Sequence, residues 1–203
     1  MSIEFASQNI GLAPDFLSAI ECEEIVQGIT ATAGEPGHLV RAGQAILDPS
    51  VRSCREHGLP PRLRERLGQR LTRFLSGEGG KLRDEVDNLD GPYFLSYGPG
   101  SFFRSHRDIG TVDDPFNMRT RRWSLVLYLN GREPNGALPT FDGGALTVYD
   151  STLGAANRRL VIIPRPGLLA LFRSSLLHEV MIVHEGTRYA AVGWLCTSHL
   201  PTT

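Results

Sequence analysis

The feature that most limits the possible folds is a series of short β-rich runs in the second half of the chain. PYFLSY, RWSLVLYLN, ALTVYD, RRLVIIP, GLLALF, HEVMIV and RYAAVGWLC follow one another between residues 92 and 196, punctuated by Gly, Pro, Asn or Asp. Their β-branched and aromatic content and turn-forming boundaries are strand signals, and no helical periodicity separates them. Consecutive strands without crossover helices predict an antiparallel sandwich or barrel. The first half reads differently. APDFLSAIECEEIVQGI places Phe16, Leu17, Ile20, Ile25, Val26 and Ile29 at helical spacing behind a proline, and PPRLRERLGQRLTRFL sets Leu63, Leu67, Leu71, Phe74 and Leu75 on one stripe. The expectation is an α+β chain, mainly β: one domain over 1–203, with a helical support region at 1–91 and a β core at 92–196.

The chain carries 21 Lys and Arg against 22 Asp and Glu, so it has no general field to attract nucleic acid or an anionic membrane surface. The arginines around Leu67 and Leu71 therefore read as a solvated helix face, and no nucleic-acid partner is expected. Cys22, Cys54 and Cys196 are widely spaced, odd in number and without a CxxC pair, which suggests reduced, packed thiols. MSIEFASQNIGLAPDF has no basic segment leading into an apolar run, and no window approaches the roughly 18 apolar residues of a spanning helix. A cytoplasmic, unanchored protein is expected.

The stretch FFRSHRDIG places His106 and Asp108 two residues apart, on one face if the backbone is extended. A His-x-Asp pair alone is a weak metal signal. His178 opens a later predicted strand and can reach His106 only if the sheet folds back on itself, as a rolled β core does. Two histidines and a carboxylate cover one side of a metal and leave the other open, the ligand set of non-haem Fe(II) oxygenases, with zinc the main competitor. Arg188 lies ten residues after His178, across a turn containing Gly186. Its guanidinium suits bidentate capture of a carboxylate, so a dicarboxylate chelating iron and held by arginine, as 2-oxoglutarate would be, fits better than hydrolytic zinc.

The chain resembles the 2-oxoglutarate and Fe(II)-dependent dioxygenases, in particular their prolyl 4-hydroxylase-like branch, over about residues 92–196. Five ordered fragments carry the resemblance: YGPGSFFRSHRD, RRWSLVLYLN, FDGGALTVYD, PRPGLLALFRSSLLHEV and GTRYAAVGW. The resemblance implies a double-stranded β-helix, the jelly-roll or cupin-like core, with the N-terminal helices packed on one sheet. It implies that His106, Asp108 and His178 bind Fe(II), that Arg188 receives the distal carboxylate of 2-oxoglutarate, and that Tyr128 and Tyr97 line the cosubstrate pocket. Trp194 would lie near iron. The implied reaction uses O2 and 2-oxoglutarate to hydroxylate an unactivated C–H, releasing succinate and CO2, with ascorbate a further candidate cofactor. A prolyl residue in a protein or peptide is the first substrate expectation. A free amino acid or small natural product is the alternative, as is a non-catalytic metal- and 2-oxoglutarate-binding barrel. Two departures bear on substrate: Phe103 stands where many relatives have tyrosine, and Ala145 where glutamate is common. Residues 76–91 and 109–120 are expected to form the lid, and Arg121 or Arg122 to lie on the surface or contact substrate.

Overall fold

Strand β9 (Arg121–Tyr128) shows how the sequence pattern becomes layers. Trp123, Leu125 and Leu127 belong to one buried cluster, whereas Val126 and Tyr128 belong to another. Alternate side chains of a strand face opposite ways, so a run apolar on both faces must lie between two cores. In the computed structural model of the protein, which describes residues 2–77, 82, 86–154 and 158–199, that is the arrangement. An eight-stranded antiparallel sheet forms the middle layer, in the order β1 (Glu4–Ser7), β2 (Ile10–Ala13), β13 (Leu169–Arg173), β9, β16 (Arg188–Cys196), β7 (Asn88–Tyr97), β6 (Arg55–His57) and β3 (Glu35–Pro36). A four-stranded sheet faces it, in the order β12 (Arg159–Ile162), β11 (Leu146–Tyr149), β14 (Leu177–Val180) and β8 (Phe103–His106). This is the double-stranded β-helix expected from the sequence.

Helices α1 (Ala19–Thr30) and α2 (Pro61–Ser76) cover the outer face of the large sheet. Ile25, Val26 and Ile29 of α1 join Leu67, Leu71 and Phe74 of α2 against Leu127, Leu169 and Leu195. Each such side chain, fully buried, contributes about 1.5–3 kcal/mol relative to exposure. Helix α1 begins at Ala19, later than its apolar pattern suggests, because Ser18 supplies the cap. Its hydroxyl accepts from Glu21 N at 3.3 Å while the Glu21 carboxylate accepts from Ser18 N at 2.9 Å, a reciprocal capping box. The α2 arginines meet α1: Arg70 pairs with Glu21 at 2.7 Å, and Arg66 pairs with Glu24.

Three expectations need correction. Residues 1–91 hold strands as well as helices, because β1, β2, β3 and β6 complete the large sheet, and β4 (Leu39–Arg41) and β5 (Gln44–Ile46) form a hairpin of their own. Strand β7 starts at Asn88, inside the supposed lid, while residues 78–81 and 83–85 of that lid lie outside the described residues. HEVMIV is not one strand. β14 ends at Val180, and β15 (Val183–Gly186) turns to pair with β10 (Phe141–Gly143). The break follows from the Gly-Gly turn, where Gly144 N donates to Ile182 O at 2.9 Å. Gly143 has φ +80°, and a Cβ there would lie 2.2 Å from Ile182 O, so only glycine permits this approach.

Candidate active site

His106 closes β8 and His178 lies in β14, and the register of that pair sets the two histidines directly opposite each other. Opposed residues of an antiparallel pair share a face, and the two imidazole rings lie 4.1 Å apart between centroids. His106 Nδ1 lies 2.8 Å from Arg104 O, and His178 Nδ1 lies 3.0 Å from Leu176 O. Each Nδ1–H thus donates to a carbonyl two residues back, which fixes the tautomer and leaves Nε2 as a free ligand atom. Asp108 is the third group. Its Oδ1 lies 3.6 Å from His106 Nε2 and its Oδ2 3.3 Å from His178 Nε2, and one donor atom from each of the three residues lies within 4.8 Å of the others.

Asp108 is not on the strand, although simple alternation places it there. β8 ends at His106, and the chain then hooks onto the end of β13, where Asp108 N and Ile109 N both donate to Ser174 O at 3.0 and 3.1 Å. Ser124, on the inward face of β9, donates its hydroxyl to Asp108 Oδ2 at 2.6 Å and lies 3.0 Å from Ser174 Oγ. Buried Ser124 and Ser174 therefore orient the carboxylate. Neither serine stands out in the sequence; the available signal is that Ser124 alternates with Val126 and Tyr128 on one strand. Burial disfavours the Asp108 anion, but the two imidazoles more than offset it and hold the carboxyl well below the usual range. Burial lowers His106, helped by the neighbouring imidazole. In His178 the Asp108 charge and hydrogen bond outweigh burial and raise it.

Arg188 opens β16 opposite Tyr97 and is 1% exposed. Its guanidinium carbon lies 4.9 Å from the Tyr97 ring centroid and 5.2 Å from that of Tyr128. Among the described residues it has no ion pair, and neither its Nε nor the Tyr128 hydroxyl has a hydrogen-bond partner. Burial raises the Tyr128 hydroxyl to about 12 against the pull of the arginine, and raises Tyr97 as well. Arg188 needs the Gly-Gly turn: a Cβ on Gly144, at φ +61°, would lie 2.9 Å from Arg188 Cδ. Arg188, Tyr97, His106, Asp108, His178 and Trp194 line one pocket.

Arg121 is buried, pairs with Asp90 at 3.0 Å and stacks 3.5 Å from the Trp194 ring centroid, so it supports Trp194 and is not on the surface. Phe103 stacks on the His106 imidazole, with centroids 3.6 Å apart, giving that side an apolar wall where a tyrosine would offer a hydroxyl. His57 lies 2.8 Å from Ser96 Oγ and buries its Nδ1. His184 is exposed on β15.

The residue pattern of the 2OG-Fe(II) oxygenase superfamily matches residues 92–196, just over half the chain. The chain belongs to the 2OG-Fe(II) oxygenase superfamily. A PKHD-type hydroxylase of Synechococcus elongatus is 28% identical to this oxygenase over 178 residues, covering 88% of this chain and 70% of its own length. A PKHD-type hydroxylase of Shewanella baltica is 35% identical over 104 residues, 51% of this chain and 42% of the relative. A prolyl-4-hydroxylase of Pseudomonas putida has the same fold, with a TM-score of 0.66 at 22% identity over 95% of this chain and 94% of the other. So does a prolyl hydroxylase of Trichoplax adhaerens, determined with a hypoxia inducible factor peptide fragment, at 0.66 and 19% identity over 94% and 84%.

Fe(II) and 2-oxoglutarate are the groups this family implies, and the oxygenase's own residues fit both. Two tautomer-fixed imidazoles and an ionised carboxylate form an open-sided donor set suited to Fe(II). The buried guanidinium, which meets no carboxylate among the described residues and lies beside the Tyr128 hydroxyl, suits an organic acid, because an uncompensated buried charge costs several kcal/mol until an anion meets it.

Proposed function

We propose that this oxygenase hydroxylates an unactivated C–H of a prolyl residue in a protein or peptide, converting 2-oxoglutarate and O2 to succinate and CO2. One observation carries the reading: His106, Asp108 and His178 converge in the pocket that also holds the Arg188 cation, which has no ion pair among the described residues. His106, Asp108 and His178 would hold Fe(II). Arg188 would hold the distal carboxylate of 2-oxoglutarate, with Tyr128 donating its hydroxyl to the same group and Tyr97 forming the wall. Bound iron and 2-oxoglutarate supply the O2 activation; the chain supplies position. Ser124 aims the Asp108 carboxylate, Arg104 O and Leu176 O hold a proton on each Nδ1 and turn each Nε2 toward the metal position, and Phe103 and Trp194 wall the reacting face.

The prolyl substrate is supported by the names of the PKHD-type relatives and by the prolyl hydroxylases that share the fold. Ascorbate as accessory reductant, cytoplasmic residence and action as one domain, with residues 1–91 supporting 92–196, belong to the same proposal. No described helix is long and apolar enough to cross a membrane. The test is succinate release with prolyl peptides and free amino acids. Prolyl peptides should stimulate it, and H106A and D108A should abolish it. Near-normal succinate formation in either variant refutes the ligand assignment, and stimulation by free amino acids alone moves the substrate to that class.

A further inference from the structure

Arg52 is a second guanidinium in the pocket, contributed by the N-terminal half of the chain. Residues 51–53 lie antiparallel to the start of β8: Arg104 N donates to Val51 O at 2.9 Å, Ser53 N to Phe102 O at 2.9 Å, and Arg52 bridges to Phe103. The segment thus adds an edge to the four-stranded sheet beside the metal-ligating strand. Arg52 lies over the Phe103 ring at 5.0 Å, and Phe103 stacks on His106, so this cation is one aromatic ring away from a proposed iron ligand. Nη1 donates to His38 O at 2.7 Å and Nε to Cys54 Sγ at 3.1 Å. Those bonds hold the fork in place, and Nη2 has no hydrogen-bond partner among the described residues. No carboxylate among them forms an ion pair with Arg52 either: Glu56 acts on it only at longer range, and Asp48 faces Arg41 at 3.9 Å and accepts from Ser50.

Position separates its role from that of Arg188. Arg188 is sealed in the pocket, whereas Arg52 is half-buried and lines both that pocket and an adjoining groove with Pro36, Leu47, Asp48, Pro49, Ser101 and Tyr189. A group entering from the groove meets Arg52 before it reaches the iron ligands. We propose that Arg52 is a specificity-determining residue that binds a carboxylate of the substrate, either the C-terminal carboxylate of the target residue or an acidic side chain next to it. The inference rests on the oxygenase reading above and narrows it to substrates that carry a negative charge close to the hydroxylated carbon. A charge-assisted fork that is already held by His38 and Cys54 loses little side-chain freedom on binding.

The experiment is equilibrium binding to protein loaded anaerobically with Fe(II) and 2-oxoglutarate. The probes are N-acetylproline against N-acetylprolinamide, and acetyl-Asp-Pro amide against acetyl-Asn-Pro amide. At least one acidic probe should bind about tenfold or more tighter than its neutral partner, as expected for a hydrogen-bonded charge pair. The pair that shows the difference identifies the source of the carboxylate. R52Q should remove the preference and R52K restore part of it, with 2-oxoglutarate affinity within about twofold of wild type in both. A merely structural role would lower Tm without altering the acid-to-amide ratio. Equal binding of acid and amide, no binding of either acid, or loss of 2-oxoglutarate affinity in R52Q overturns the inference. Wild-type succinate formation, measured in parallel, tests the oxygenase reading separately.

Discussion

Replacing Arg188 with methionine separates a structural cation from a ligand-binding one. Breaking a paired buried charge costs about 3–5 kcal/mol, because the surviving partner is stranded. Arg188 has no such partner among the described residues; it gives up two aromatic faces, worth about 0.5–2 kcal/mol each, and in return a desolvated charge disappears. R188M without 2-oxoglutarate should therefore stay within about 2 kcal/mol of wild type. With ligand the two proteins should diverge. At 2-oxoglutarate 100 times its Kd, wild type gains about 2.7 kcal/mol, and at about 2–4 °C per kcal/mol for a chain of this length Tm rises by roughly 5–11 °C. Losing a buried charge-assisted contact costs about 2–5 kcal/mol, a roughly 30- to 5000-fold weaker Kd. At the same concentration the gain then falls to about 0.9 kcal/mol or less, under roughly 4 °C. The assay is thermal unfolding of the Fe(II)-loaded protein under nitrogen, with and without 2-oxoglutarate. A ligand-induced shift in R188M equal to that of wild type would refute the anchor, and a ligand-free loss of 3–5 kcal/mol would show that Arg188 serves the fold.

Ser124→Ala removes the 2.6 Å hydrogen bond to Asp108, and Fe(II) affinity in a metal titration should fall about 10- to 100-fold with the fold intact. Gly144→Ala forces a side chain into φ +61° and against Arg188 Cδ, so denaturant unfolding should show a loss of about 2–5 kcal/mol and 2-oxoglutarate binding should weaken as well. Asp150 is 1% exposed, and although burial opposes its charge, hydrogen bonds from Ser7, Thr152 and Asn9 lower its pKa. A depressed carboxyl stabilises the fold above its unfolded value, about 3.9, and that contribution disappears as pH falls through the lower folded value. Asp150→Asn should thus flatten the acid limb of the stability curve; an unchanged limb would show that this cluster contributes nothing.

The residues proposed to do the chemistry are legible because chemistry leaves local marks. His-x-Asp, the distal His178, the Gly-Gly turn and Arg188 sit at spacings that the sequence displays, and RWSLVLYLN reads as a strand from its residues alone. Less legible was what holds those residues in place. Ser124 reaches Asp108 only because the chain bends out of β8 onto β13, and Ser174 completes the contact from fifty residues further on. Val183 to Gly186 leave one sheet for another through contacts with the glycine turn, a change that periodicity within HEVMIV does not encode. The short N-terminal strands carry too few residues to show a period, and they are strands only by pairing with distant neighbours. Sequence by itself determined which side chains can bind a metal or a carboxylate, since that is a property of each residue and its immediate backbone. Tertiary structure alone decided that Arg52 stands one ring from His106, because strand adjacency is set by how two sheets and two helices bury their apolar faces together.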